Sequence, residues 1–426
     1  MNLAPTDEQL ALRDTVRRFL ADRAPVAGYV RPRLDGPADP AGRAASGPGP
    51  AWAGLAALGT TGVLVPEAHG GAGLTMVEAG IVAEELGRML HPGPWVSSAV
   101  AAVRALTHIG APPAGSDAGG VDGRGEGVDR DAVDELLAAI AAGSTIAAVA
   151  FAERRPGASV PAWARPATRA ARPAAERNGR QTLTGEKVDV PDATAATVLL
   201  VLAADDGGAA LYAVDPDDTA VEITPQHALD PTRPQYRVRL DAVPARRIGP
   251  ADPAAVVALV DDVLAVRAAD ALGSALAVPE RAPEHAKVRT QFGRPIGAFQ
   301  AVQHLCVDMH ETVELARGGV MHALWAAERA GAERAVRAER AGAEERHLAA
   351  IRAKAFSGRL ATVGDTAIQV LGGIGFTWEH DAHLHLRRLL AWRAYLGAPG
   401  PYLREIGAQL AADATRARPR PMRSPA

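Results

Sequence analysis

One cysteine, Cys306, stands in a chain of 426 residues, so a disulfide framework and a thiolate metal site are both excluded. Set among apolar residues at helical spacing, it reads as a small core hydrophobe. Lysine is almost as scarce: Lys187, Lys287 and Lys354 are the only ones, although Lys and Arg together number 46. So heavy an arginine bias, beside abundant Ala, Gly and Pro, is read as coding composition, and it takes weight away from any single arginine. Neither sign of charge dominates, and a net charge of -3 gives no electrostatic case for nucleic acid or an anionic membrane. No uninterrupted apolar run reaches the ~18 residues of a membrane span. Met1 to Leu20 reads as a charged amphipathic helix without the apolar segment of a secretory leader. The chain is therefore expected to be cytoplasmic. At 48% hydrophobic and 22% charged residues it suits a globular protein of two or three domains.

What is present falls into three textures, which together predict an α+β fold. Residues 1–143 read as an N-terminal α-helical domain, with Leu10, Leu12, Val16, Phe19 and Leu20 at helical spacing between Thr6 and Ala24. Trp52–Leu58, Met76–Met89, Ala99–Ile109 and Asp131–Ala142 are further helices. Arg31–Pro50 reads as a flexible loop and Pro112–Asp129 as a mobile insertion. Residues 144–250 read as a small β-barrel or sandwich domain. Its short runs, Ile146–Phe151, Val198–Ala203, Ala209–Val214, Val221–Thr224 and Tyr236–Leu240, are separated by turns such as Asp205-Asp-Gly-Gly208 and Asp215-Pro-Asp-Asp218. Asp241-Ala-Val-Pro244 is taken to lead out of it. Residues 251–412 read as a C-terminal four-helix bundle: Pro253–Val288, disturbed by Pro279 and Pro283, then Gln300–Trp325 and His347–Leu371, with Ala326–Glu345 as a solvated helix pair. Residues 413–426 read as a disordered tail.

Two strings carry chemistry. Arg289-Thr-Gln-Phe-Gly-Arg-Pro-Ile-Gly-Ala-Phe-Gln-Ala-Val-Gln-His304 joins two helical runs. Its arginine can pair with a pyrophosphate, its amides can hydrogen-bond a polar ring edge, and its Gly-Arg-Pro turn lets the helices pack closely. Alone, it is equally a surface helix hairpin. The second is Gln369-Val-Leu-Gly-Gly-Ile-Gly-Phe-Thr-Trp-Glu-His-Asp381, followed by His383-Leu-His-Leu-Arg-Arg388. A helix ending in Gln-x-Leu-Gly-Gly stops at glycines that can take positive φ and bare their N–H groups to a flavin or phosphate. Alone, those glycines are a helix cap.

Together, in this order and about 80 residues apart, the strings resemble the acyl-CoA dehydrogenase family. Thr6–Leu20 resembles its opening helix and Leu55–Gly73 its early loop between helices, a pattern that Glu84-Glu-Leu-Gly-Arg88 and Pro92-Gly-Pro94 continue. Leu183-Thr-Gly-Glu-Lys187 looks like the hairpin of its middle β-domain, and the α–β–α order matches its three domains. The resemblance implies FAD as hydride acceptor from the β-carbon of an acyl-CoA thioester. A carboxylate would remove the weakly acidic α-proton while hydrogen bonds meet the developing enolate oxygen. It implies FAD contacts from Arg289, Gln291 and Phe292, with Phe299 and Gln300 one helix later. Gln369, Gly372 and Gly373 would reach the same FAD from a neighbouring subunit, hence at least a dimer. It also implies an electron-transfer flavoprotein as acceptor and a place in fatty acid or sterol side-chain metabolism.

The chain departs from that family where proton abstraction belongs. Where Tyr-Glu-Gly is usual it has Tyr395-Leu396-Gly397, and at the other common glutamate position it has Val263, followed by Leu264 instead of arginine. Asp261, Asp262 and Asp270 are close, but neighbours on a helix turn ~100° apart, so they read as solvated or salt-bridged and the base stays unassigned. Phe151-Ala-Glu-Arg-Arg-Pro-Gly-Ala-Ser159 replaces the family's Thr-Glu-Pro and Gly-Ser-Asp. Asp189-Val190-Pro191 replaces Trp-Ile-Thr, removing a stacking surface and a backbone donor. His304, Glu379, His380, His383 and His385 have no metal spacing and read as packing or interface residues. Three readings follow. One is a FAD-dependent acyl-CoA dehydrogenase with an unrecognised base. Another is a non-catalytic subunit completing the FAD site of a paralogous partner, in a homo- or heterotetrameric setting. The last is a related flavoprotein of different chemistry, such as nitroalkane oxidation. Retained strings beside two lost carboxylates favour the second over the third, and the expectation is the first, an acyl-CoA dehydrogenase, with the second as its alternative.

Overall fold

Helix α1 (Asp7–Arg23) starts where Thr6 and Gln9 satisfy each other's backbone donors in a capping box. The computed structural model describes residues 4–35, 49–109, 127–154, 164–171, 181–332 and 336–416. A buried π-helical turn at Val26–Val30 leads into α2 (Arg31–Asp35), so the start of the stretch read as a loop is helical. Tyr29 stacks on His91 there at 5.6 Å, which gives this segment a surface to fold against. Residues 36–48 lie outside the described residues. Helices α3 (Pro50–Ala57), α4 (Met76–Arg88), α5 (Val103–Ile109) and α6 (Arg130–Ala141) follow. Of the expected insertion over 112–129 only 127–129 are described; there Asp129 caps α6 by accepting from the Ala132 N–H.

The middle of the chain is a closed barrel. Its strands are β1 (Ala147–Ala150), β2 (Arg169–Ala171), β3 (Gln181–Pro191), β4 (Val198–Asp205), β5 (Gly208–Val214), β6 (Val221–Gln226) and β7 (Gln235–Pro250). Following hydrogen bonds from β4 through β2, β3, β7 and β5 returns to β4, while β1 adds to β4 in parallel and β6 to β7 antiparallel. Closure removes the sheet edges that a sandwich would leave. Inward residues such as Leu183, Val201, Tyr212, Tyr236 and Val238 fill it. Two expectations are corrected. Leu183–Lys187 is the interior of β3, not a hairpin: Gly185, at φ +154, carries a bulge where a Cβ would lie 2.7 Å from the Thr168 hydroxyl. Asp241–Pro244 does not leave the barrel, because β7 turns at Ala242 (φ +56) and continues along β5 to Pro250.

The C-terminal part is helical. Asp252 caps α7 (Pro253–Leu276), which begins on proline. The run breaks around Pro279 as expected and resumes as α8 (Arg281–Val288), whose first turn holds Pro283, where a helix tolerates a missing N–H. A short hairpin of β8 (Thr290–Gln291) and β9 (Arg294–Pro295) leads to α9 (Gln300–Ala332), α10 (Val336–Ala355), α11 (Ser357–Leu371), α12 (Ala382–Ala394) and α13 (Pro399–Arg416). Helices α7, α9, α10 and α11 pack together as the bundle. The segment read as one helix from His347 to Leu371 is two, interrupted at Phe356, and the first begins already at Val336. The tail expected from residue 413 is helical to Arg416; residues 417–426 lie outside the described residues. Helices α4 and α7 cross at Gly87 and Gly273, where a Cβ would sit 1.8 Å from the carbonyl oxygens of Asp270 and Glu84 respectively. This backbone contact fixes Asp270 in depth. The fold is α+β: N-terminal helices and C-terminal helices sharing one core, and a central barrel with its own.

Candidate active site

Between β8 and β9 the turn residues are Phe292 (φ +51) and Gly293 (φ +75), a left-handed pair that matches the twist of a two-residue hairpin. The turn is thus one residue earlier than the expected Gly-Arg-Pro, and Arg294-Pro295 forms the return strand. This geometry drives Phe292 into solvent, where it is 91% exposed. Phe299 meets it edge-on at 6.1 Å, and the Arg294 guanidinium lies 4.2 Å over Phe299. Arg289, Gln291 and Gln300 are exposed as well. The Gln291 amide donates to the Thr290 carbonyl at 2.9 Å. The Arg289 side chain has no ion pair or hydrogen bond among the described residues. A rigid turn bearing an unpaired guanidinium and a bare aromatic faces outward.

Helix α11 ends as the sequence implied. Gln369 is exposed in its last turn, and Gly372 stops it at φ +66, ψ -144. A Cβ on Gly372 or Gly373 would meet nothing within 4 Å, so the ground in front of both is open. Exposed Ile374, Phe376 and Trp378 continue that surface. Helix α11 packs on α8 and α9, the helices flanking the Arg289 hairpin.

At the two positions where a glutamate is usual, Leu396 and Val263 are both buried. Leu396 is held at φ +52 before Gly397 (φ +107), and its carbonyl accepts from the Tyr402 hydroxyl at 2.6 Å. The nearby aspartates are not solvated. Asp261 meets the His347 Nδ1 at 2.9 Å, and Asp262 meets the His108 Nε2 at 2.8 Å and Arg104 at 3.3 Å. Asp270 accepts from Arg233 at 2.6 Å and Arg388 at 3.3 Å. Burial alone would raise the carboxyls of Asp262 and Asp270, but Arg104 and Arg346, and Arg233 and Arg388, hold them below the ordinary range. A carboxylate so held is a poor general base.

Asp270 with its two arginines walls a cavity of about 260 Å³, between residues 227–235, α7 and α12, lined also by Asp189, Asp230, Arg267 and Tyr395 among others. That is below the ~300–1,000 Å³ of ordinary small-molecule sites. Arg388 also donates to Asp230 at 3.0 Å and to the Thr232 hydroxyl. At the barrel end, Asp189 (φ +53) donates its N–H to the Gln226 side chain at 2.7 Å. Glu153 is a structural tie, taking the N–H groups of Ala167 and Thr168 and the Lys187 ammonium at 2.7 Å. Asp230, Arg233 and Arg267 were not singled out in sequence. The available signal was a charge quartet, Asp261, Asp262, Arg267 and Asp270, on a helix otherwise apolar all round, since buried charges require partners. His385 pairs with Ser274 at 2.9 Å and His383 packs edge-on against Trp378 at 4.9 Å. Among the described residues no group of three or more His, Cys, Asp or Glu is placed to hold a metal ion, and no helix is long and apolar enough to cross a membrane.

Comparison with known proteins places these features. Residues 6–113 match the family description "Acyl-CoA dehydrogenase, N-terminal domain" and residues 265–411 match "Acyl-CoA dehydrogenase, C-terminal domain". The chain is 33% identical to acyl-CoA dehydrogenase FadE34 of Mycobacterium tuberculosis, over 96% of this chain but 49% of that protein, so it spans about half of that relative. It is 28% identical to acyl-CoA dehydrogenase IpdE2 of the same organism, over 96% of this chain and 99% of that one. Among solved structures it is similar to a variant of the Tcur3481-Tcur3483 steroid ACAD, with a TM-score of 0.74, 27% identity and coverage of 96% of this chain and 99% of that one. These relatives are oxidoreductases of a family of FAD-binding flavoproteins. With both flanking helical parts matched and the barrel between them, this chain belongs to the acyl-CoA dehydrogenase family.

Proposed function

We propose that this chain is the flavin-completing, non-catalytic subunit of a heteromeric acyl-CoA dehydrogenase, whose paralogous partner carries the carboxylate base. The observation that carries this reading is one of orientation. The flavin-type donors, Arg289, Gln291, Gln369 and the open glycines at 372–373, point away from the chain, while in its own pocket Asp230 and Asp270 are tied to Arg388 and Arg233 and both usual glutamate positions carry aliphatic residues. The outward set fits the pyrophosphate and polar edge of FAD: a guanidinium, two amides and glycine N–H groups with nothing in front. The inward half does not fit a flavin ring, because its cavity is small and Asp189 stands where an aromatic shelf is usual. Bound FAD would supply the hydride acceptor. Arg289 and the glycine N–H groups would hold its phosphates; Phe292 and Phe299 would pack against it and exclude water. Phe376 and Trp378 would be covered by the partner. The acyl-CoA thioester would react at the partner's base, with electrons passing to an electron-transfer flavoprotein. Similarity to a steroid ACAD favours a bulky thioester such as a sterol side chain.

Purification of the chain alone and with candidate paralogues tests this. The chain alone is expected to be colourless or substoichiometric in flavin, and the complex yellow and bleached by acyl-CoA. Arg289→Met in this chain should release flavin from the complex. A yellow homomer bleached by acyl-CoA would instead establish the first reading, a dehydrogenase with its own base.

A further inference from the structure

Arg267 is a buried cation with no direct ion pair, although the charges of Asp192 and Asp270 lie near enough to act on it. It is 7% exposed, yet among the described residues it forms no ion pair and donates no hydrogen bond, and its Nε is enclosed and unpartnered. Its one specific contact is the face of Tyr395, 4.7 Å away. The neighbouring carboxylates are already engaged. Asp270 is shared by Arg233 and Arg388, Asp230 is taken by Arg388 and Thr232, and Asp192 accepts from the Ser97 hydroxyl at 2.5 Å through one oxygen, while its other oxygen is enclosed and bonds to nothing, Arg267 included. Asp189, the remaining acid of the cavity wall, is pushed by burial toward its neutral form. An unpaired buried guanidinium is costly unless something meets it, and this one lines the 260 Å³ cavity.

We propose that this cavity binds a short organic carboxylate, clamped by the Arg267 guanidinium. Three features select that chemistry. The planar fork of an arginine matches the two oxygens of a carboxylate in a way it does not match a point charge. Leu229, Ala391, Trp392 and Ala394 also line the cavity and give it apolar surface that suits a hydrocarbon tail, beside the Tyr395 ring that Arg267 covers. The buried carboxylates of Asp230 and Asp270 in the same lining disfavour a second negative charge, so sulfate and phosphate are poor ligands. The proposal stands whether or not the chain is the flavin-completing subunit, since the cavity belongs to this chain alone.

Calorimetric titration with butyrate tests it, on the chain alone or on its complex if only that is stable, with butyramide and sulfate as controls. Trp392 fluorescence, assigned by difference against Trp392→Phe, reports filling of the cavity. Butyrate should bind saturably and perturb that signal, while butyramide and sulfate do not. Arg267→Met should weaken butyrate by about tenfold or more, the value of a charge-assisted hydrogen bond. Absence of butyrate binding, equal binding of butyramide or sulfate, or unchanged affinity in a folded Arg267→Met overturns the proposal. If Arg267→Met does not fold, Arg267→Lys decides: with charge kept and the fork lost, affinity should fall severalfold, and an unchanged value overturns it.

Discussion

Replacing Asp270 by alanine removes the one carboxylate shared by two buried arginines. Arg233 would keep only the Gly93 carbonyl, at 3.1 Å, while Arg388 would retain Asp230 and Thr232. Stripping one partner from a buried ion pair costs ~3–5 kcal/mol, because the remaining charge is left in a low-dielectric site. Since Arg388 stays half satisfied, about 3 kcal/mol is expected for Asp270→Ala, nearly all of it from Arg233. That attribution is testable. Adding Arg233→Met removes the stranded charge, so the double variant should be more stable than the sum of the singles by about 1–3 kcal/mol. The carboxyl is held below the ordinary aspartate range, chiefly by Arg233 and Arg388 against the opposing effect of burial. A depressed folded pKa gives stability that is present above the unfolded value of about 3.9 and lost as pH falls through the folded one. Asp270→Asn should therefore flatten the acid limb of the stability curve. Urea unfolding followed in parallel by circular dichroism and tryptophan fluorescence measures all of this. Strict additivity of Asp270→Ala and Arg233→Met, or a loss under about 1 kcal/mol, would refute the reasoning.

The alkaline limb should belong to His347. Burial would lower its pKa, but Asp261 at 2.9 Å and Glu405 at 3.1 Å outweigh it and raise the pKa to about 9. Its contribution is complete below about 6.5 and lost as pH rises through 9; after discounting for solvent screening, about 1–2 kcal/mol should disappear, and His347→Gln should abolish that slope. Gly273→Ala would place a Cβ 1.8 Å from the Glu84 carbonyl, forcing α4 from α7 at a cost of ~3 kcal/mol by denaturation. Gly373→Ala meets nothing within 4 Å, so it should leave unfolding within ~0.5 kcal/mol of the parent while lowering flavin retention in the complex. Leu396→Glu should not create an active homomer, because the chain's own cavity of about 260 Å³ is too small for a flavin ring beside a thioester; flavin bleaching by acyl-CoA in that homomer would refute this.

Much of this molecule could be read locally. The helical spacing of Leu10 to Leu20, the break at Pro279 and the Gly372 stop each act within a few residues, and each appears where the sequence placed it. Errors arose where partners decide. Leu183–Lys187 has turn residues, yet pairing with β7 on one side and β2 on the other keeps it extended. The Asp241–Pro244 corner is held in β7 because both its halves find neighbours, β6 and β3 before it and β5 after. Phe356, in a helical-looking run, is where α11 takes a new direction to pack on α12.

The charged pocket was the least legible part, and the reason is distance along the chain. Arg388 and Asp230 are 158 residues apart and Arg233 and Asp270 are 37 apart, so no periodicity links them. Sequence could show only that α7 carries charges it cannot satisfy alone. The structure supplies the counterpart for each except Arg267. Leu396 sharpens the point. A leucine at φ +52 costs roughly 1–2 kcal/mol relative to ordinary backbone, so the loop's shape is imposed from outside the residue. Tyr402 holds its carbonyl, and the neighbouring Tyr395 is pinned beneath Arg267. The loop therefore depends on the same buried arginine that lacks a direct ion pair, and filling the cavity beside Arg267 should stiffen residues 395–397 as well.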